Sequence, residues 1–348
     1  MRTIEARTLT LGAVVFFVVT VCLGLLMRVD MATGVLTRAG WSLANLRHAH
    51  SHAGYYGVLT LAWWTVERQS GRAVSRQLVL LYAASALLAV VGFAWFGYRS
   101  VTIVLSTVVA AGWLWVGMAR LRARRGREWL DAAPYGLVLS VLLVPAVAVT
   151  AKHDPSLSRD LAHVFVGVVS FTMMVPAAWQ HLGMARTLPL TAYVPVAVAA
   201  AFAVVFATQA STAALVATVA YAVLVSATVM RASLDWPAQS LWLVHAGSMA
   251  FAAAPFLPGA PARIAGLHFL ILGPLLASFF APLVSPLIRR LYAVALGFML
   301  MSIVVPEHLA PESPARVTAA ASTLFVAVAL VAAAQVAAAR LFRQPPRR

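Results

Sequence analysis

Apolar stretches of roughly 20 residues recur along the whole chain, and this recurrence constrains the fold more than any single motif. A helix of about 20 residues crosses the ~30 Å of hydrocarbon in a bilayer. Inside that layer every backbone N–H and C=O must be satisfied without water, which leaves helices or closed barrels. The alternating segments of about ten residues that build a barrel are absent. The spans read as 8–27, 45–66, 78–98, 100–118, 134–151, 160–182, 189–208, 212–230, 238–257, 263–284, 287–304 and 316–340. Short linkers join them, many with Pro or Gly, as in LPGAPAR at 257–263 and PEHLAPESPAR at 306–316. The chain is 62% hydrophobic and only 10% charged, whereas soluble domains carry about 25% charged residues. The expected fold class is therefore all-α: a polytopic membrane protein of about twelve transmembrane helices, forming one helical-bundle domain over 1–348.

The net charge of +16 raises the question of nucleic acid. The basic residues, however, form short clusters between apolar spans, the pattern of topology signals, and no nucleic-acid partner is expected. With the N-terminus in the cytoplasm, one side collects Arg68, Arg72, Arg76, the run RLRARRGR at 120–127, Arg186, Arg231, Arg289, Arg290 and the tail RLFRQPPRR. Together with Arg2 and Arg7, that side holds 18 of the 26 Lys and Arg residues. The positive-inside rule then puts both termini in the cytoplasm and makes the number of spans even. The expected location is the bacterial inner membrane, as a multi-pass protein with the lipid bilayer as its first partner. The first stretch is long and lacks a small-x-small cleavage site before Arg28, so it counts as a span. The single cysteine, Cys22, lies within it, which excludes an intramolecular disulfide and a Cys-based metal site.

The chemistry concentrates in LRHAHSHAGYYG at 46–57, where three of nine histidines open the second span. His48 and His52 are four residues apart and share one helix face about 6 Å apart along the axis, while His50 points nearly the opposite way. By the same topology His163 and His268 enter the sixth and tenth spans from the outer face. Gly54 and Gly167, each about one turn after a histidine, clear volume beside an imidazole, as the approach of a flat macrocycle requires. Taken alone, His181 and His245 read as interhelical hydrogen-bonding groups, and His153 and His308 as solvated loop residues. Trp63, Trp64, Trp113 and Trp115 read as packing or interface anchors.

The outer cluster reads differently, because polar groups in lipid are costly and tend to mark function. Neutral imidazole ligates iron, copper and zinc alike. Copper or zinc sites want three or four ligands, often with carboxylate or sulfur, whereas haem iron is held by axial histidines. The ten acidic residues all fall in loops or at span ends. A cation- or proton-coupled transporter normally keeps a carboxylate along its path, so this distribution argues against transport. Histidine-only ligation favours a haem, of b-type, with His48, His50, His52, His163, His245 and His268 as candidate ligands of its iron or of a second metal. Arg47 stands where a guanidinium pairs with haem propionates, or equally where it anchors the helix to headgroups.

These residues resemble the NnrS-like membrane proteins, distant relatives of the catalytic subunit of haem-copper oxidases. The resemblance rests on the His48-Ala49-His50 element opening an early span, on the single histidines His163 and His268, and on the number of spans. It implies haem and copper binding and a link to nitric oxide metabolism. It also implies haem ligation from the second and tenth helices and copper ligation from the sixth. The chain departs from the oxidase pattern in several places. The seventh span carries no histidine pair, His268 stands without a second histidine two residues before it, and Gly167 occupies the place of a tyrosine. The carboxylates and lysine of proton channels are missing as well. If the protein is an enzyme it is an oxidoreductase, but not a full proton-pumping oxygen reductase.

The expected role is thus nitric oxide-related or respiratory redox chemistry, with an electron donor or respiratory-chain partner. Two alternatives stand beside it: a non-haem copper transporter or permease, and a structural or assembly factor of a respiratory complex.

Overall fold

The computed structural model describes residues 3–123, 129–154, 157–158, 161, 165, 168–183, 211–232, 234, 236–252, 265–266, 268–280, 283–305 and 312–342. Helix covers most of the described residues of the expected spans; the seventh, 189–208, lies outside the described residues. Among the described residues six helices are long and apolar enough to cross a membrane: Ala6–Thr33, Arg76–Phe96, Ser100–Ala123, Trp129–Val147, Pro286–Val304 and Pro314–Phe342. The chain is an all-α membrane protein with several spans. Its long helices leave large apolar side chains uncovered, among them Leu81, Trp115, Leu142, Val223 and Phe298, the surface that lipid chains cover. Trp63, Trp64 and Trp113 are instead fully buried, so these three are packing groups.

The residues group into two compact units, Met1–Val109 with Phe280–Arg348, and Ala110–Phe279. In the first unit, α1 (Ala6–Thr33) ends at Gly34, whose positive φ and N–H to the Asp30 carbonyl close the helix. The Asp30 carboxylate then accepts from the backbone of Leu36 and Thr37, at 2.7 and 3.0 Å, and caps the short α2 (Val35–Arg38). Ser42 caps α3 (Leu43–His52) by accepting from the Asn45 N–H at 3.3 Å. The chain runs on without a break through a π turn, π1 (Ala53–Leu59), into α4 (Thr60–Gln69). After Ser75, α5 (Arg76–Phe96) returns, and it stops at Gly97, where φ is 63°. A side chain at Gly97 would also come within 2.5 Å of Asn45 Oδ1, so the turn needs glycine for conformation and for space. α6 (Ser100–Ala123) follows and leads out of this unit. Within the first unit, α1 packs on α3, π1 and α4, and α3 packs on α5.

In the second unit a 3-10 turn at Trp129–Asp131 leads into α7 (Ala133–His153). A second π turn, π2 (Val169–Met174), continues as α8 (Val175–His181). α9 (Ser211–Arg231) and α10 (Trp236–Ala252) pack as a pair. A third π turn, π3 (Ile271–Leu275), continues as α11 (Leu276–Phe280). The first unit is completed by α12 (Pro286–Val304) and α13 (Pro314–Phe342), which pack together, with α13 also lying along α1.

The three π turns occupy the second, sixth and tenth expected spans, the three read from sequence as histidine-bearing at their outer ends. Their local causes differ. Pro274 lies inside π3 and Pro176 just after π2; each lacks the N–H that a regular helix would use four residues back. No proline stands near π1, but Gly57 does, and a Cβ there would overlap the Phe16 ring of α1. The carbonyls loosened by π1 find hydroxyl partners. Thr60 donates to the Tyr55 carbonyl at 2.8 Å, and Tyr82 of α5 reaches the Tyr56 carbonyl at 2.9 Å. Ser278 does the same for the Pro274 carbonyl at 2.6 Å.

Among the described residues three carboxylates are buried, all at helix ends as the sequence suggested: Asp30, Glu67 and Asp131. Glu67, in the last turn of α4, pairs with Arg72 at 3.4 Å.

Candidate haem-ligand site

The histidine segment lies wholly within the first unit, on α3, between α1 and α5. The helical rotation separates its side chains as the spacing requires. His48 and His52 face the end of α5, where the His52 ring stacks on Phe93 with centroids 3.9 Å apart and planes 27° from parallel. His48 meets the Tyr98 ring edge-on at 4.7 Å, and His52 meets Tyr56 edge-on at 4.9 Å. The turn at Gly97 is what brings Tyr98 back over these two imidazoles.

His50 points to α1 instead. Its Nδ1 lies 2.8 Å from the Thr20 carbonyl oxygen. Four residues after Thr20 is Gly24, where a Cβ would stand 3.0 Å from His50 Cε1 and 3.2 Å from its Nδ1. The missing side chain is thus the opening through which His50 reaches a helix carbonyl. The clearance that the sequence suggested at Gly54 is a different one, for the approach of a macrocycle. A Cβ at Gly54 would meet only a Thr20 methyl, at an ordinary 3.8 Å, so the glycine that makes room for this imidazole is Gly24.

His52 has a parallel arrangement on its own helix, with Nδ1 2.7 Å from the His48 carbonyl oxygen. A carbonyl only accepts, so in the neutral imidazoles of His50 and His52 the proton sits on Nδ1 and the lone pair on Nε2. Metal-ligating histidines almost always donate their other ring N–H to a carbonyl or carboxylate, which fixes tautomer and ring angle. Two of the three histidines are held in this ligand-ready form. The ring of His48 makes no hydrogen bond among the described residues and is held by aromatic contact alone. Nε2 is thus the lone-pair nitrogen of His50 and His52, and the His52 ring is stacked on Phe93 with Tyr56 and Tyr98 edge-on to it. The side chain of Arg47 is exposed one residue before His48.

No family model matches this chain, and no curated protein matches it in sequence.

In the second unit the other candidates stand in varied settings. His268 is half-buried and precedes π3 by three residues. His245 is fully buried in α10, with Nε2 3.1 Å from the Tyr221 hydroxyl of α9. That contact occupies the nitrogen most often used for ligation, and His245 fits the hydrogen-bonding role that its isolation in the sequence suggested. His181 is half-buried against Phe279, with ring centroids 5.6 Å apart, and His153 is exposed at the end of α7. His163, Gly167 and His308 lie outside the described residues. Among the described residues no three His, Cys, Asp or Glu side chains are grouped so as to hold a metal ion.

Sequence reasoning missed Thr20, Gly24, Phe93 and Tyr98. For Tyr98 a signal existed in Phe96-Gly97-Tyr98, a helix-ending glycine flanked by aromatic residues at the end of a span. For Thr20 and Gly24 there was none, because a backbone carbonyl and an absent side chain leave no mark on an apolar run.

Proposed function

We propose that the protein is a haem-binding inner-membrane protein of about twelve spans, with both termini cytoplasmic and the histidine segment of 46–57 near the outer face. The observation that carries this reading is the pair of Nδ1–H contacts, from His50 to the Thr20 carbonyl and from His52 to the His48 carbonyl. These hold two Nε2 lone pairs in a fixed direction directly before a π turn, a feature frequent at functional sites in helices. They favour His50 or His52 over His48 as an axial ligand. His163 is the proposed ligand of an additional copper; His245 is left out, because Tyr221 engages it. Arg47 is proposed to receive a haem propionate. A bound haem would supply reversible one-electron chemistry and an iron site for a diatomic gas. The chain's own residues fix the imidazole tautomers and surround the rings with aromatic side chains. The resemblance to NnrS-like proteins is the ground for placing this chemistry in nitric oxide metabolism or respiratory electron transfer, with an electron-donating partner.

The test is an optical spectrum of the purified protein with metal analysis. A Soret band with low-spin α and β bands supports haem. No Soret band, with stoichiometric copper in its place, would replace this reading by that of a copper permease. Topology has its own test. In a Cys22→Ala background, Arg122→Cys is expected to be labelled from the cytoplasm and Leu157→Cys from the outside; labelling from one side only would remove the depth argument for the cluster.

A further inference from the structure

The second unit contains a run of buried aromatic rings that ends on a phenol–imidazole pair. Trp129 meets Trp179 with ring centroids 4.8 Å apart, and Trp179 meets Trp242 at 5.9 Å. Trp242 meets His245 at 6.0 Å, and His245 meets Tyr221 at 5.6 Å. Trp129 is 2% exposed and the other four are fully buried. We propose that this run is a one-electron relay whose end point is a proton-coupled redox pair formed by Tyr221 and His245. The proposal is independent of haem binding and needs no metal at His245.

Indole and phenol are among the side chains most readily oxidised by one electron. In an apolar interior, however, the radical cation left behind is an uncompensated charge. It becomes tolerable where a base within hydrogen-bond reach takes the proton. Tyr221 meets that condition, with its hydroxyl 3.1 Å from His245 Nε2. The phenol O–H is a stronger acid than a neutral imidazole N–H, so Tyr221 donates and Nε2 accepts.

Trp242 does not meet it. Its Nε1–H donates to the Ser278 hydroxyl at 3.1 Å, and Ser278 donates onward to the Pro274 carbonyl at 2.6 Å. A hydroxyl and a carbonyl are not bases of useful strength, so an oxidised Trp242 keeps its proton and its charge. An electron vacancy on the indoles therefore moves to Tyr221 and is held there. This asymmetry gives the run a direction.

The step balances with an organic peroxyl radical as the oxidant. One electron leaves Tyr221 by way of Trp242, Trp179 and Trp129 and reduces the peroxyl radical to its anion, which takes a proton from water to give the hydroperoxide. The Tyr221 O–H bond breaks, and its proton forms an N–H bond at His245 Nε2. The products in the protein are a neutral tyrosyl radical and an imidazolium. Return of an electron and of the same proton restores the pair.

The full-length protein in detergent, photo-oxidised with tris(bipyridyl)ruthenium(II) and persulfate, provides the test by high-field electron paramagnetic resonance. The expected signal is a neutral tyrosyl radical whose g-tensor carries the shift of a hydrogen bond from an imidazolium. Tyr221→Phe should lose this component and leave a tryptophan radical. His245→Phe should lose the hydrogen-bonded signature with Tyr221 still present. Trp179→Phe leaves the pair itself intact and should slow formation of the radical, so it tests the relay even if the first two variants fold poorly. An azo initiator, as a source of peroxyl radicals, should generate the same species. A tyrosyl signal unchanged in Tyr221→Phe, a g-tensor unchanged in His245→Phe, or an unchanged rate in Trp179→Phe would reduce the run to core packing.

Discussion

His50 and His52 in the first unit and His245 in the second are all imidazoles inside apolar helices, yet their hydrogen bonds run in opposite senses. His50 and His52 present Nδ1 to backbone carbonyls, which makes Nε2 the lone-pair nitrogen of each ring. His245 has its Nε2 against the Tyr221 hydroxyl, so that nitrogen is already used within the protein. Residue type does not separate these cases, and burial, half for His50 and His52 against full for His245, does not set the sense of the bond. What separates them is the neighbour: a helix carbonyl reached through the space at Gly24, or one turn back on the same helix, against a phenol on the adjacent helix. A histidine in a membrane helix is a ligand candidate when the surrounding backbone fixes it as a lone-pair donor, and a structural or proton-accepting group when a side chain occupies that lone pair.

Removing the imidazoles is expected to break this contrast with the largest effect. Substitution of the axial ligand, His50→Ala or His52→Ala, should abolish the Soret band or convert low-spin iron to high-spin, because water replaces an imidazole poorly at an apolar site. His245→Phe should leave band positions unchanged. Equal, mild effects from all three would mean that the distinction between the two histidine settings has no functional content.

Gly24 allows a sharper test with a smaller effect, because it changes no ligand. Gly24→Ala puts a methyl group 3.0 Å from His50 Cε1 and must push the ring off the Thr20 carbonyl or shift α1. Overpacking of this kind typically costs about 1–3 kcal/mol. If His50 is the ligand, the spectrum should change along with the stability. If His52 is, thermal stability should fall while the spectrum holds. Gly54→Ala, where the nearest atom is at 3.8 Å, is the control and should do neither.

Much of this arrangement was legible in the sequence, and the parts that were not share a cause. Helices could be read because each apolar run is long enough to cross a bilayer and no other secondary structure satisfies its backbone there. The opposed faces of His48/His52 and His50 could be read because the helical rotation is fixed. The turn π1 could not. It depends on where a carbonyl finds a substitute donor, as the Tyr56 carbonyl does in Tyr82, and that donor lies on another helix. The same holds for Gly24 and for the Tyr221–His245 pair. Each is a relation between two spans, and the order of residues along one span carries no trace of its neighbour.

The smallest expected effect comes from the π turn beside the histidines. The Tyr82 hydroxyl lies 2.9 Å from the Tyr56 carbonyl and 3.0 Å from Thr60 Oγ1, and Thr60 donates to the Tyr55 carbonyl. Tyr82→Phe removes one donor and leaves the shape of the ring intact. A buried carbonyl that loses a side-chain donor costs about 1–3 kcal/mol, but the neighbouring Thr60 hydroxyl can turn toward Tyr56, so the lower end of that range is expected. Thermal unfolding in detergent should register this modest loss. The ligand geometry adds a second readout, because Tyr56 follows His52 by four residues and packs edge-on against its ring. If π1 fixes the angle at which His52 presents Nε2, Tyr82→Phe should broaden or shift the low-spin bands while haem stays bound. If the bands are unmoved while stability falls, the π turn serves packing alone and the His52 angle is set by its own contacts, the His48 carbonyl and the Phe93 ring.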